Sequence, residues 1–116
     1  MLQEVGAVFA KKLASIKEIQ IQGHADTTPV AAPNTNLLLG AKRAINVFEY
    51  LQHNAGIDPA STLISATSFG EYMPVARLDQ VDTFNADSLQ NANDTPEERA
   101  LNRRIEILLF YRQRNK

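Results

Sequence analysis

Cysteine is absent from this chain of 116 residues, so disulfide bonds and thiolate metal sites are excluded. The lack of cysteine is compatible with a periplasmic or a cytosolic location and does not distinguish between them. The sequence also has no apolar run near the roughly 18 residues of a membrane-spanning helix, and its start lacks the basic and apolar regions of a signal peptide. If the chain works outside the cytoplasm, we expect an upstream segment to export or anchor it. The chain would then be a carboxyl-terminal fragment.

Charge of either sign is not in large excess, because the formal net charge is −1 at pH 7. This balance argues against a surface for nucleic acid or anionic membranes. Basic residues do gather near the carboxyl end, at Arg99, Arg103, Arg104, Arg112, Arg114 and Lys116. Glutamates are interleaved with them and no aromatic ladder accompanies them, so we predict a solvated terminus. With 44% hydrophobic residues, residues 1–116 can form one domain with its own core.

Periodicity predicts a mixed α/β order. Apolar and polar residues alternate from Ile19 to Gly23, as in a half-buried strand. The other predicted elements are an amphipathic helix from Leu2 to Ile16, a helix from about Thr35 to Asn54, and strands over Leu63–Phe69 and Asn102–Tyr111. The stripe of the long helix predicted to face the core contains Leu37, Ala41, Ile45, Phe48 and Gln52. The strand–helix–strand order implies a parallel crossover, and we predict an α/β domain with a mixed sheet and helices packed on one face.

The segment 76–93 is a polar insertion with few aliphatic anchors. Its apolar residues are Leu78, Val81, Phe84 and Leu89. We predict a short helix with a loop, and we expect the segment to be mobile.

A candidate ligand site combines Asp26, Asn36 and Arg43. Asp26 follows the first predicted strand, at the carboxyl end where open α/β sheets bind ligands. Asn36 and Arg43 share a flank of the long helix, away from its predicted core stripe. An acid and a guanidinium facing one volume suit a ligand with an ammonium and a carboxylate. A structural salt bridge between Asp26 and Arg43 fits the same spacing.

The sequence gives little support for a catalytic site or a metal site. His24 lies beside Asp26, yet the strand alternation points it to the other face, with no second ligand at metal spacing. The serines at positions 61, 65 and 68 lack the context of a nucleophile elbow. We therefore predict no enzyme activity, no metal and no cofactor.

Four blocks resemble the successive motifs of the OmpA-like peptidoglycan-binding domain. They are Gly23-His24-Ala25-Asp26, Asn36-x-x-Leu39-x-x-x-Arg43-Ala44, Phe69-Gly70-Glu71-x-x-Pro74 and Arg99-Ala100-x-Asn102-Arg103-Arg104-Ile105-Glu106-Ile107. Together they cover about residues 16–112, and four motifs in order are far more specific than one. The MotB-type branch is the most similar, through 43–47, 70–74 and 94–104.

This resemblance implies a β-α-β-α-β sandwich that binds the peptide stem of peptidoglycan non-covalently. Asp26 and Arg43 would hold its diaminopimelate side chain, and Asn36 and Thr28 would assist. Asn102 and Arg103 match residues that border the groove. We place Arg104 and Glu106 on a solvated strand face. Two departures concern the site: the family's usual threonine before the aspartate is Ala25, and Pro29 and Pro33 lie in a loop that is slightly long.

The MotB-type branch also implies a context for the chain. It would be the periplasmic domain of an inner-membrane-anchored bacterial protein, with membrane contact only through an upstream segment. The full-length protein would be a homodimer that fixes a complex, such as an ion-driven motor stator, to the cell wall. The alternative is a structural or dimerisation module that keeps the fold and does not bind peptidoglycan.

Overall fold

Three strands and three α-helices make up the part of the chain that the computed structural model describes, residues 13–28, 34–79 and 83–112. In order they are β1 (Ile16–His24), α1 (Thr35–Asn54), β2 (Leu63–Gly70), α2 (Ala86–Asn91), α3 (Pro96–Asn102) and β3 (Arg104–Tyr111). Short 3₁₀ helices occupy Leu13–Ser15 and Val75–Asp79. None of the helices in these ranges is long and apolar enough to cross a membrane.

The sheet is mixed, with β1 between its two neighbours. Strand β2 runs parallel to β1, and β3 runs antiparallel to it. This arrangement confirms the predicted mixed sheet of an α+β fold. Because β1 and β2 are parallel, their carboxyl ends at His24 and Gly70 lie at the same edge, where they pair. The chain continues to Asp26 from that edge.

The core lies between α1 and the sheet. Its buried members are Ile16, Ile19, Ile21, Ala44, Val47, Leu51, Ile57 and Ile64. Ile105, Ile107 and Leu109 of β3 are partly buried against this cluster. Full burial of a large aliphatic side chain stabilises the fold by about 1.5–3 kcal/mol, so this layer fixes α1 on the sheet.

The buried face of α1 differs from the predicted stripe. It contains Asn36, Gly40, Ala44, Val47 and Leu51. Leu37 and Ile45, which were predicted to face the core, are 39% and 48% exposed. The physical reason is a close backbone approach: a Cβ added to Gly23 would lie 1.9 Å from the carbonyl oxygen of Gly40. Gly40, which makes this approach, adds nothing to a hydrophobic stripe, so hydrophobic periodicity did not show the face that contains it.

The ends of two elements also differ from prediction. Ile16, predicted in the first helix, begins β1, and residues 1–12 of that predicted helix lie outside the described residues. The last strand begins at Arg104 because Asn102 ends α3. That helix has its own start signal, a capping box in which Thr95 and Glu98 bond reciprocally.

The insertion at 76–93 contains the predicted short helix, α2, which Asn85 caps by accepting a hydrogen bond from the Ser88 N–H. Residues 80–82 lie outside the described residues. After α2 the chain is held closely, because Ala92 and Asn93 are 9% and 4% exposed. Before α2, Leu78 is 52% exposed. The mobility of the segment 76–93 stays a prediction.

Candidate functional site

Asp26 occupies the loop that leaves β1 and is 3% exposed. Its Oδ1 accepts a hydrogen bond from the Thr28 backbone N–H at 2.8 Å. Its Oδ2 forms an ion pair with Nη1 of Arg103. The Ala25 N–H donates to the carbonyl oxygen of Gly70 at 2.8 Å, which ties this loop to the end of β2. The carboxylate is therefore held in one orientation.

The surroundings of Asp26 keep it ionised. Burial raises the pKa of this carboxyl, but the hydrogen bonds from Thr28 and the charge of Arg103 outweigh burial and hold the pKa below its ordinary value of 3.8. Asp26 is thus an anion at neutral pH. A buried anion at a strand's carboxyl end is suited to receive an ammonium group.

Asn36 reaches the same loop from the first turn of α1. Its Nδ2 donates to the carbonyl oxygens of Asp26 and Thr28 at 3.2 and 3.3 Å. The residue is buried, at 8% exposure. The structure therefore brings Asp26, Thr28 and Asn36 together as predicted. The amide of Asn36 spans the loop and fixes its backbone, so we assign it a positioning role.

Arg43 lies on nearly the same side of α1 as Asn36, seven residues and about 10 Å farther along the helix axis. It is half-buried at the edge of the buried face. Within the described residues its guanidinium has no hydrogen bond or ion pair. The alternative of an Asp26–Arg43 salt bridge is therefore not formed in this structure, where Asp26 pairs with Arg103 instead.

Arg103 is the residue whose role the sequence showed least clearly. It follows α3, and its side chain is 45% exposed while that of Asp26 is 4% exposed. A prediction placed it at the border of a groove, but nothing in the sequence indicated a bond to Asp26. Arg99 and Arg104 also bond inside the fold, to the Asn93 carbonyl and to Glu106 respectively. The predicted solvated basic terminus is therefore wrong at Arg99 and Arg104, which are partly buried, whereas Arg103 is exposed although it pairs with Asp26.

Asn102, the other residue predicted to border the groove, is turned into the fold and is 3% exposed. Its Nδ2 donates to the Ala92 carbonyl at 3.0 Å and to Oδ1 of Asn93 at 2.9 Å. Its Oδ1 accepts from the Val75 N–H at 3.0 Å. With its amide occupied by three bonds, Asn102 joins separate segments of the chain and does not face the site.

His24, the last residue of β1, is fully buried. Its ring stacks on Phe69 with centroids 5.4 Å apart, and its Nε2 lies 3.2 Å from Glu106 Oε2. Arg104 is 3.3 Å from the same carboxylate and donates to the Met73 carbonyl at 3.0 Å. The predicted solvated face is wrong at Arg104, whose side chain is 15% exposed and bonds to the chain after β2, while the Glu106 side chain at 32% is partly exposed.

Burial, followed by the positive charge of Arg104, lowers the pKa of His24 below its ordinary value of 6.5, against the opposing effect of Glu106. Neither ring nitrogen has a hydrogen bond of good geometry. Folding therefore favours the neutral imidazole. Among residues 13–28, 34–79 and 83–112, no group of three histidine, aspartate or glutamate side chains is placed to hold a metal ion.

Acidification from about pH 7.5 to about pH 5.5 is expected to lower the free energy of unfolding. The folded pKa of His24 lies below its unfolded value of 6.5, so the unfolded chain binds the proton first and stability falls as the pH falls below 6.5. One such group contributes a slope of at most about 1.4 kcal/mol per pH unit. The lowered pKa of Asp26 acts only below 3.8, outside this window. Urea denaturation at each pH measures the slope.

The control for this effect is the exposed His53, near the end of α1. His53→Gln should keep the pH slope of the wild type, and His24→Gln should flatten it. A His24→Gln variant that folds and keeps the full slope would show that another group controls the loss of stability.

Known proteins resemble this chain in sequence and in fold. The model of the OmpA family matches residues 1–103. Motility protein B of Bacillus subtilis (strain 168) is 33% identical over 98 residues, which are 83% of this chain and 31% of that protein. The periplasmic domain of Helicobacter pylori MotB superposes with a TM-score of 0.67 at 26% identity, over 95% of this chain and 57% of that one. The peptidoglycan-associated lipoprotein from Burkholderia pseudomallei gives 0.59 at 26% identity, over 96% and 74%.

Proposed function

This chain belongs to the OmpA family, and on that premise we propose that it binds the peptide stem of peptidoglycan and so attaches the protein that contains it to the cell wall. The proposal rests on two charges, a buried anion in the loop after β1 and a half-buried cation on α1. Asp26 is a buried anion held by Thr28, and Arg43 is a half-buried cation without a partner in the described residues. Similarity to a peptidoglycan-associated lipoprotein supports the ligand class.

Diaminopimelate fits these two groups because the end of its side chain carries both an ammonium and a carboxylate. Asp26 would accept hydrogen bonds from the ammonium, and Arg43 would bind the carboxylate bidentately. The ammonium takes the place that Arg103 holds in this structure. Since the Arg103 side chain is 45% exposed, water can solvate its guanidinium when the ion pair opens.

The remaining predicted residues support the site in different ways. Asn36 and Thr28 fix the loop that carries Asp26, through bonds of 2.8 to 3.3 Å. Asn102 holds the segments around α2 and α3 in place. No step in this scheme breaks a covalent bond, so the proposed activity is binding alone.

The chain spans 31% of motility protein B, so the role of the whole protein is a further part of the proposal. We infer a periplasmic domain on an inner-membrane-anchored protein, paired in the full-length assembly and serving a MotB-like motor or a related complex. The rival is a module of the same fold that does not bind the wall. The Asp26–Arg103 ion pair favours the rival, because it satisfies the aspartate without a ligand.

Soluble stem peptides that contain diaminopimelate are expected to bind at least about tenfold more tightly than otherwise identical peptides that contain lysine. Lysine lacks the second carboxylate, and a hydrogen bond to a charged group contributes about 1.5–3 kcal/mol. Isothermal titration calorimetry measures both affinities. Equal affinities would show that Arg43 does not bind the carboxylate.

The matched control uses neighbouring residues of α1. Arg43→Ala should remove the preference for diaminopimelate, and Lys42→Ala, which removes an exposed cation one residue away, should keep it. If no peptide of either kind binds the wild type, the rival module is favoured.

A further inference from the structure

A cavity of about 550 Å³ lies beside the proposed site, between the loop after β1 and the segment around α2 and α3. The described residues that line it are Thr27, Thr28, Gln90, Asn93, Asp94 and Arg99. Its volume falls within the range of about 300–1,000 Å³ that is typical of small-ligand sites. All of these described residues are polar, which favours a peptide-like ligand.

Hydrogen bonds within the protein hold the residues of the cavity wall in place. Nη1 of Arg99 donates to the Asn93 carbonyl at 2.9 Å and to the Asp94 carbonyl at 3.4 Å. Asn93 is itself 4% exposed, and its side chain donates to the Leu89 carbonyl and accepts from Asn102. Arg99 is therefore oriented by the chain, and its other guanidinium donors have no partner among the described residues.

Thr28 connects the cavity to the site at Asp26. Thr28 lines the cavity and also donates its backbone N–H to Asp26. On the other side, the Arg103 N–H donates to the Arg99 carbonyl at 3.1 Å, so α3 directs one arginine to Asp26 and another to the cavity. A ligand held at Asp26 can extend over Thr28 toward Arg99.

We propose that this cavity receives the stem residue that follows diaminopimelate, with Arg99 binding its terminal carboxylate. Such a residue offers a carboxylate and an amide N–H, and the cavity offers one guanidinium at Arg99 with acceptors at Asp94 and Gln90. The inference rests on the proposed function, because it requires diaminopimelate at Asp26 and Arg43. The inference implies that the segment around α2 distinguishes stem peptides by their length.

Calorimetric titration with two stem peptides tests the inference. One peptide ends at diaminopimelate, and the other carries one further alanine with a free carboxylate. The wild type is expected to bind the longer peptide about tenfold more tightly, since a charge-assisted bond is added. Arg99→Gln should remove this preference and change the affinity for the shorter peptide by no more than about twofold. Gln90→Ala, at an exposed position, should reduce the preference by a smaller factor.

Arg112→Gln is the matched control, because Arg112 is an exposed arginine that does not line the cavity. It should keep the preference. If the wild type binds both peptides equally, or if Arg99→Gln keeps the preference, the inference is wrong while the proposed function stands. If neither peptide binds the wild type, the proposed function fails first and this inference with it. Equal weakening of both peptides by Arg99→Gln would assign Arg99 a structural role and also overturn the inference.

Discussion

Replacing Asp26 with alanine is expected to abolish co-sedimentation of the protein with purified sacculi. The change removes the anion that would receive the ligand's ammonium. Truncation of one partner in a buried, hydrogen-bonded charge pair costs about 2–5 kcal/mol of binding free energy. Arg43→Ala should have a comparable effect through the ligand's carboxylate. The fraction of protein in the pellet, measured over a range of sacculus concentrations, gives the affinity.

The loss of binding should be separable from the loss of the fold. Asp26→Asn keeps an oxygen that can accept from the Thr28 N–H, and it removes only the charge. It should lose binding and still unfold cooperatively in urea. Asp58→Ala and Lys42→Ala, which remove exposed charges elsewhere, should sediment like the wild type. Undiminished binding by both Asp26→Ala and Arg43→Ala would place the wall-binding surface elsewhere on the molecule.

The behaviour of Arg103 distinguishes the proposed function from the rival structural module. If Arg103 only holds the place of the ligand's ammonium, then Arg103→Ala should keep binding or strengthen it, because Asp26 is freed. If the Asp26–Arg103 pair is structural, the same change should lower the free energy of unfolding. Since the Arg103 side chain is 45% exposed, we expect little loss of stability.

Local sequence signals predicted the elements that position the site. The alternation at Ile19–Gly23 and the extent of α1 both correspond to the structure, and each depends on residues close in sequence. The convergence of Asp26 and Asn36 followed from the same local logic, because a strand end and the next helix start must lie near each other. The four sequence motifs, in their usual order, indicated the family.

Local sequence signals did not predict contacts between residues that are far apart in the sequence. Asp26 and Arg103 are 77 positions apart. The residues around an exposed arginine do not indicate which acidic residue it pairs with. The burial of Arg104 depends on its contact with the chain around Met73, which no alternation within β3 reveals. The buried face of α1 was missed for a different reason. Backbone contact between Gly23 and Gly40 sets the helix orientation, and glycine contributes nothing to a hydrophobic stripe.

Gly23→Ala is expected to destabilise the fold by about 3 kcal/mol or more, at or above the upper end of typical overpacking costs. The added Cβ would lie 1.9 Å from the Gly40 carbonyl oxygen and 2.6 Å from its carbonyl carbon. These are backbone atoms, so no rotamer change can relieve the clash, and α1 must move away from β1. Small domains have about 5–15 kcal/mol of stability in total, so the loss should be large in urea denaturation.

Gly40→Ala is the informative comparison at the other side of the same contact. Its Cβ would meet the Gly23 carbonyl oxygen at 3.0 Å and the Ser68 hydroxyl oxygen at 2.4 Å. The hydroxyl is a side-chain atom that can rotate away by giving up its bonds to Leu37 and Gly70. Alanine also favours the helix by up to about 1 kcal/mol. The loss at Gly40 should therefore be smaller than at Gly23. Because this contact holds the start of α1 near Asp26, Gly23→Ala should weaken sacculus binding even at temperatures where it remains folded. A Gly23→Ala variant within about 1 kcal/mol of the wild type would show that the glycine contact does not set the distance between helix and strand.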